Sequence, residues 1–267
     1  MPLGCPVGDP ARGGRPLKYD HRLIIDTILY VLVAGCAWRL VPHDLAPWDA
    51  AYRWFRHWSA QGVWDDIHEA LREQVRRAEG RDVEPTAAVL DAQTAQSACG
   101  GQAIGYDAGK KTRGRKRHLL VDTLGLLLIC VVHSASVQDR AGAGRAGARL
   151  VLCSNNDEHP NIGLIWADGG YANSVDASLV GWTDRELGIR LEIVKRSDDM
   201  SGFQVLPRRW VVERTFGWLS RCRRLCRDYE RTIAHAEDFI KTAMIRPMAA
   251  RLAGQQTRYH GIRPTTV

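Results

Sequence analysis

Three acidic residues suggest the chemistry that this sequence could perform. Asp91 follows one apolar run, Asp168 follows another and precedes two glycines, and Glu213 lies among arginines. Carboxylate oxygens are ligands that Mg²⁺ and Mn²⁺ accept in proteins. Two such ions, about 3.5–4 Å apart, can activate a water molecule or a 3′-hydroxyl group and stabilise the leaving oxygen in phosphodiester chemistry. The three acids are therefore candidate ligands of a metal pair.

Each acid also has a structural interpretation. Asp91 could be a turn residue, and Asp168 with its two following glycines is also typical of a plain turn. Glu213 could form an ion pair with Arg209, which lies four residues earlier on the same helix face. The order of the acids and their sequence contexts favour one shared site over three unrelated roles.

Two groups of cations accompany the acids. The first is a basic run of six: Lys110, Lys111, Arg113, Arg115, Lys116 and Arg117. The second surrounds Glu213: Arg208, Arg209, Arg214, Arg221, Arg223, Arg224 and Arg227. A run of cations such as the first group is usually a solvated loop, but it also fits a nucleic-acid patch in which cations neutralise phosphates. We therefore predict DNA contacts from all six residues of the run and from Arg209, Arg214 and Arg221.

The composition is that of a globular protein with a positive charge. The 267 residues are 45% hydrophobic and 25% charged, and the formal net charge is +7. These fractions are ordinary for a folded domain. The excess of cations suggests a polyanionic partner without determining the fold.

The sequence predicts a cytoplasmic protein without membrane contact. Its first residues are rich in Gly and Pro and lack the apolar core of a secretory signal. The most apolar stretch, residues 23–38, contains Asp26 and is too short to span a bilayer. The seven cysteines include no Cys-x-x-Cys pair, which favours reduced thiols over disulfides or a zinc site.

The amino-terminal part reads as helical. Residues 1–18 are predicted to be a disordered Gly/Pro-rich arm. Asp20 can cap a helix whose apolar residues recur at helical spacing, and further helices are predicted from residue 48 to about 59 and at about 63–78. Three short helices with an aromatic, basic middle one resemble a helix-turn-helix module, so residues 19–82 are assigned as a DNA-binding region. The alternative is a helical bundle whose aromatic residues form its core.

The remaining chain alternates between strands and helices, which predicts an α/β fold with a mixed sheet. Predicted strands lie at residues 87–93, 118–123, 126–132, 163–167 and 190–195, and predicted helices at 138–153, 171–187, 208–226 and about 234–252. The first strand is predicted to finish at Asp91. Functional groups gather at the carboxyl ends of strands in such sheets, so Asp91 and Asp168 are expected to meet there.

Several long segments of the sequence are similar to the DDE transposases of bacterial insertion sequences, in particular the insertion-sequence-five type. These segments are residues 35–39, 47–48, 105–111, 114–118, 121–125, 166–171 and 209–219. The resemblance extends over roughly residues 14–250.

The resemblance implies a ribonuclease-H-like catalytic domain at residues 83–253, behind the helical region and before a polar tail at 254–267. The Asp-Asp-Glu triad of the family maps onto Asp91, Asp168 and Glu213, which would bind two Mg²⁺ or Mn²⁺ ions. The implied activity is nicking of DNA at the element's ends and strand transfer into target DNA. The implied partners are terminal inverted repeats and target DNA, bound by a homodimer at the nucleoid without a small-molecule cofactor.

The family's signature around the Glu departs from this chain at two positions. It resembles Tyr-x-x-Arg-x-x-x-Glu-x-x-x-x-x-x-Lys, in which Arg209 fills the Arg position and would contact phosphate. Leu206 stands at the Tyr position and Ser220 at the Lys position, with Arg221 as a neighbouring substitute. An alternative is therefore a catalytically impaired or domesticated transposase that acts as a DNA-binding repressor, and another is a nuclease that cuts without transposing.

Overall fold

The computed structural model describes residues 18–98, 100–137, 148–171, 177–194 and 207–255, with the backbone alone at 177, 178 and 207–209. The predicted arm, apart from residue 18, and residues 256–267 of the predicted tail lie outside these ranges. The helices are α1 (His21–Ala34), α2 (Trp48–Ala60), α3 (Val63–Ala78), α4 (Ala148–Glu158), α5 (Ala177–Leu187), α6 (Pro207–Ser220), α7 (Arg223–Cys226) and α8 (Ile233–Leu252). The strands are β1 (Ala87–Gln96), β2 (Gly105–Asp107), β3 (Thr112–Asp122), β4 (Leu127–Ser134), β5 (Leu164–Asp168) and β6 (Arg190–Val194).

The described strands form one mixed sheet in the order β2-β3-β1-β5-β6, with β4 also paired to β3. β3 is antiparallel to β1, β2 and β4, whereas β5 is parallel to both β1 and β6. Helices pack on both faces of this sheet. The predicted α/β class, with a ribonuclease-H-like mixed sheet behind a helical region, is confirmed.

The sheet separates two hydrophobic cores because side chains alternate between its faces. Val89 and Leu119 lie on the face that packs against α1, α2, α6 and α8, and we call it the α6 face. Leu90 and Leu120 lie on the opposite face, against α4 and α5, and we call it the α5 face. Residues two apart on β1 or β5 therefore lie on the same face of the sheet, and adjacent residues lie on opposite faces.

The amino-terminal helices follow the sequence signals closely. Asp20 caps α1 by accepting a hydrogen bond from the Arg22 amide at 3.2 Å, and Gly35 ends the helix with φ 68°. On α2, Phe55 and Trp58 are buried, and Phe55 stacks on Phe239 of α8 with ring centroids 4.4 Å apart. These aromatic residues of the middle helix are thus core residues, which was the alternative interpretation.

Two predicted elements differ from the structure. The first strand does not finish at Asp91, because the polar residues 93–96 keep pairing with β3 and extend β1 to Gln96. The helix predicted at 208–226 breaks after Ser220, and Cys222 adopts an extended conformation (φ −86°, ψ 104°). The chain then passes so close to α1 that a Cβ on Gly35 would lie 2.8 Å from the Arg223 Cβ. Residues 138–147 and 172–176, within two other predicted helices, lie outside the described residues.

Within the described ranges, no helix is long and apolar enough to cross a membrane. The described cysteines are free thiols: Cys36, Cys130, Cys153, Cys222 and Cys226. Burial raises the pKa of the Cys130 and Cys222 thiols, which keeps them protonated and unreactive.

Candidate active site

Asp91 and Asp168 lie on adjacent parallel strands, one residue beyond the last paired positions. The β1–β5 ladder ends with Leu90 opposite Ala167, so the next residue on each strand is an acid. Asp168 ends β5, whereas Asp91 continues into the antiparallel pairing of β1 with β3, opposite Leu119. Both acids line the same small depression at this edge. The structure thus brings together the two predicted strand acids.

The two acids share the α6 face of the sheet. Asp91 follows Val89 by two residues and Asp168 follows Trp166 by two, and Val89 and Trp166 are register partners. Helix α6 packs on this face against β1, β3 and β5, with Val212 buried in the same core. The helix that carries the third acid therefore covers the face on which the first two lie.

The carboxylate of each strand acid also accepts a hydrogen bond from a nearby backbone amide. Asp91 Oδ1 accepts a hydrogen bond from the Ala92 amide at 2.7 Å, and Asp168 Oδ1 accepts one from the Gly170 amide at 2.8 Å. A Cβ on Gly170 would lie 2.9 Å from that Asp168 oxygen, so the close turn requires a residue without a side chain. The turn interpretation and the functional interpretation of Asp168 are therefore compatible.

Glu213 lies on α6, directly after the buried Val212, and its side chain is exposed. The following residues fix the helix to the β3–β4 turn: Arg214 donates to the Leu124 carbonyl at 2.7 Å and Thr215 donates to the Gly125 carbonyl at 2.8 Å. The alternative ion pair of Glu213 with Arg209 lies outside the described side chains.

Among the described residues, no group of three or more His, Cys, Asp or Glu side chains is arranged to hold a metal ion. The donor chemistry nevertheless fits a hard divalent cation, since Asp91 and Asp168 offer only oxygens and line one depression. Glu213 would be the third oxygen donor, from the helix over the same face.

The basic run divides between solvent and interior. Lys110, Lys111 and Arg113 are exposed around the β2–β3 turn. The side chains of Arg115, Lys116 and Arg117 are buried, with relative exposures of the residues of 0%, 3% and 1%. The prediction that all six contact DNA is corrected for these last three, because both faces of β3 are covered at their positions.

Arg115 and Arg117 are used inside the protein on the α6 face. Arg115 forms an ion pair with Asp228 at 2.9 Å and donates to the carbonyls of Gln102 and Glu230, each at 2.8 Å. Arg117 donates to the Leu225 carbonyl at 2.8 Å, and burial lowers its pKa. These arginines thus hold the chain that follows α6 against β3 through hydrogen bonds to the Glu230 and Leu225 carbonyls.

Lys116 lies on the opposite face of β3 with its neighbour His118. Lys116 Nζ donates to the Val137 carbonyl at 3.0 Å, and His118 Nδ1 lies 3.0 Å from the Tyr171 hydroxyl. Burial, reinforced by His133 and two lysines, holds the pKa of His118 well below its usual value. His118 is therefore a neutral interior residue that contacts the turn after Asp168.

Arg214 also turns inward. Its guanidinium lies 4.7 Å from the Trp210 ring centroid and 5.0 Å from that of Trp218, in addition to its bond to the β3–β4 turn. Burial and the nearby Arg251 lower its pKa. These contacts hold part of the Arg214 guanidinium inside the protein, and its predicted DNA contact stays a prediction.

The two other predicted arginines of this region have different outcomes. Arg221 is exposed and lines a groove of about 750 Å³ between α1, α6 and α8, which Arg22 and Arg246 also line. Ser220, at the family's Lys position, donates to the Gly217 carbonyl at 2.9 Å. The side chain of Arg209 is not among those described, so its phosphate contact stays a prediction.

Glu192 is a fourth acid on the α6 face that sequence reasoning missed. It is the register partner of Trp166, whose indole nitrogen donates to Glu192 Oε2 at 2.9 Å. The signal that could have found it is a single acid between Leu191 and Ile193 in a short apolar strand. Glu192 helps to orient Trp166 beside the depression that Asp91 and Asp168 line.

Comparisons with known proteins agree with this architecture. Residues 83–246 match the family described as Transposase DDE domain, and residues 2–68 match the family described as putative transposase of the IS4/5 family. A relative from Burkholderia cepacia, the insertion element IS402 uncharacterized 16.2 kDa protein, is 32% identical over 104 residues. That match covers 38% of this chain and 69% of the relative.

All three acids fall within the residues that match the Transposase DDE domain, two of them on strands of the mixed sheet and Glu213 on helix α6. The chain belongs to the DDE transposases, and to the IS4/IS5 type among them.

Proposed function

We propose that the protein cleaves DNA at the ends of an insertion sequence and transfers the resulting 3′ ends into target DNA, with Asp91, Asp168 and Glu213 as its catalytic residues. The observation that supports this most directly is the register of β1 and β5, which puts Asp91 and Asp168 side by side beneath the helix of Glu213.

The three carboxylates would hold Mg²⁺ or Mn²⁺, most simply as a pair of ions. When bound, such a pair supplies activation of the attacking hydroxyl and stabilisation of the leaving oxygen. The protein's part is positional. Two ligands come from adjacent parallel strands of the sheet, and the third comes from the helix that packs over the same face.

Exposed cations would hold the DNA backbone. Lys110, Lys111 and Arg113 extend from the β2–β3 turn, and Arg221 lies directly after α6, about two helical turns beyond Glu213. Contacts of this kind set the register of DNA on the protein and carry no sequence information. Two element ends must be joined in one event, so we propose a homodimer assembled on terminal inverted repeats, located at the nucleoid in the cytoplasm.

The test is cleavage of labelled DNA that carries the element's end. Asp91→Asn, Asp168→Asn and Glu213→Gln are each expected to slow metal-dependent cleavage by about 100-fold or more, a loss of roughly 3 kcal/mol of transition-state stabilisation. Binding to the same DNA should persist. Glu186→Gln, an exposed acid of α5 beyond the opposite face, is the matched control and should cleave normally.

The outcomes separate the candidate functions. Wild-type protein that binds the element's end but does not cleave it would support the repressor alternative instead. Cleavage without joining to target DNA would indicate a nuclease. If the three carboxylate variants cleave as fast as wild type, the site assignment is wrong.

A further inference from the structure

The β3–β4 turn contacts α6 directly beside Glu213. Arg214 and Thr215, the next two residues of the helix, donate to the carbonyls of Leu124 and Gly125 at 2.7 and 2.8 Å. Thr215 is fully buried. Two consecutive residues of one helix are therefore bonded to two consecutive carbonyls of one turn.

The turn also fits the helix closely in shape. Gly125 has φ +78°, a conformation that favours glycine. A Cβ at this position would lie 3.0 Å from both Arg214 Nη2 and Thr215 Oγ1 and 3.3 Å from Trp218. A side chain on Gly125 would strain the turn's backbone and would require these side chains of α6 to shift by a few tenths of an ångström.

A buried ion pair holds the turn from its other side. Asp122 Oδ1 accepts hydrogen bonds from the amides of Leu124 at 2.9 Å and Leu126 at 2.8 Å. Its other oxygen pairs with Arg76 of α3, which also donates to the Asp82 carbonyl at 2.7 Å. The amino-terminal helical region is thus connected through the turn to α6.

These bonds matter because Glu213 is exposed, so the position of its carboxylate depends on how α6 is held against the sheet. Helix α6 rests on the sheet through buried positions such as Val212 and Leu219, and an apolar stripe alone leaves freedom to slide and roll. A roll by one residue turns a helix by about 100° and would carry Glu213 away from the sheet edge. Directional hydrogen bonds on one side remove that freedom.

We infer that the β3–β4 turn is the positioning element for the third carboxylate, with Thr215 and Gly125 as positioning residues and the Arg76–Asp122 pair as its anchor to α3. This inference rests on the proposed role of Glu213. Groups that orient metal ligands from outside the ligand set typically change metal affinity or activity by about 10–100-fold when they are removed.

Thr215→Val in the full chain is the principal test, because it keeps the shape and removes the bond to Gly125. We expect Mn²⁺ affinity, measured by electron paramagnetic resonance titration without DNA, to fall about 10-fold. The kcat for DNA-end cleavage should fall by a similar factor, with KM and the Kd for DNA unchanged. Thr215→Ser, which restores the hydroxyl, should recover both.

Thr183→Val is the matched control. Thr183 is also a buried helical threonine, and it donates to the Leu179 carbonyl within its own helix at 2.6 Å. Loss of that bond should change neither Mn²⁺ affinity nor kcat. If Thr215→Val does not fold, Arg214→Met removes the neighbouring bond to Leu124 and should lower the Mn²⁺ affinity, measured without DNA, in the same way.

Failure of this inference can be told from failure of the proposed function. If Glu213→Gln abolishes cleavage while Thr215→Val and Arg214→Met keep wild-type Mn²⁺ affinity and kcat, the positioning role is wrong. If Glu213→Gln itself binds Mn²⁺ and cleaves like wild type, the proposed function is wrong and the positioning role fails with it. A lower kcat in Thr215→Val that Thr215→Ser does not recover would also contradict the inference.

Discussion

The two halves of the basic run have opposite environments although they are adjacent in sequence. Lys110, Lys111 and Arg113 surround an exposed turn, which Asp107 stabilises by accepting the Gly109 and Lys110 amides at 3.0 Å. The other three cations lie on β3: Arg115, Lys116 and Arg117. A dense run of cations is thus not by itself a DNA footprint, because a strand covered on both faces can use its cations internally.

The two halves differ in the hydrogen-bond acceptors that surround their cations. Arg115 and Arg117 meet carbonyls and a carboxylate of residues 225–230, over a hundred residues away in sequence, where Arg115 pairs with Asp228. Lys116 donates to the Val137 carbonyl. A buried guanidinium is stable only when such partners satisfy it. The exposed half keeps its cations in water and can exchange counterions for phosphates.

The largest expected effect comes from breaking the buried half. Arg115→Met should lower the free energy of unfolding by about 3–5 kcal/mol, since it leaves Asp228 buried without its partner. Arg115→Lys keeps the charge but loses the fork, and should cost less. Urea unfolding measures both.

Arg113→Met is the matched control, two residues earlier on the same strand but exposed. Its free energy of unfolding should stay within about 0.5 kcal/mol of wild type. If the substitutions at Arg113 and Arg115 lowered the free energy of unfolding equally, the distinction between an exposed and a buried half would be wrong.

The next largest effect should come from acidification, through His118, the buried residue that directly follows Arg117 on β3. Burial lowers the pKa of His118 in the folded protein, so the unfolded chain binds a proton first as pH falls below about 6.5. Stability should therefore be fully present above that pH and decline as the solution is acidified. His118→Gln should weaken this dependence, whereas His43→Gln, at an exposed site, should not. Urea unfolding at about pH 7.5 and about pH 5 gives the comparison.

The smallest effect on stability and the clearest on binding should come from the exposed half. Replacing Lys110, Lys111 and Arg113 together by Ala should weaken DNA binding and reduce the slope of log K against log salt by about 2–3, at roughly 0.9 per phosphate contact. Lys116→Ala and the exposed Arg185→Ala should leave the slope unchanged. Gel shifts over a salt series measure this, and a Lys116 effect equal to that of the exposed cations would contradict the division.

Local signals predicted much of the fold. The cap at Asp20 and the apolar spacing predicted α1, and the apolar runs at 118–123 and 126–132 predicted the second half of β3 and most of β4. The end of β1 was missed because residues 93–96 are polar and are held by pairing with β3, which no local pattern records. The break after Ser220 likewise brings the chain against the distant Gly35, a contact that no local pattern records.

The sequence also predicted part of the candidate site. Asp91 and Asp168 could be placed from the apolar runs before them, and the parallel register brings them together. The burial of Arg115, Lys116 and Arg117 could not, since their partners come from distant parts of the chain. The sequence gives the number of cations but does not show which of them are exposed to solvent.

The stack of Phe55 on Phe239 has a consequence for how such proteins can be rearranged. It joins the amino-terminal helices to α8, which itself packs on β4 and α3. The first helices therefore do not form a detachable module, and cutting the chain near residue 83 would strip an aromatic interior rather than a linker. An element that acquired new helices by recombination there would also need a matching α8, so the amino-terminal helices and α8 have to change together.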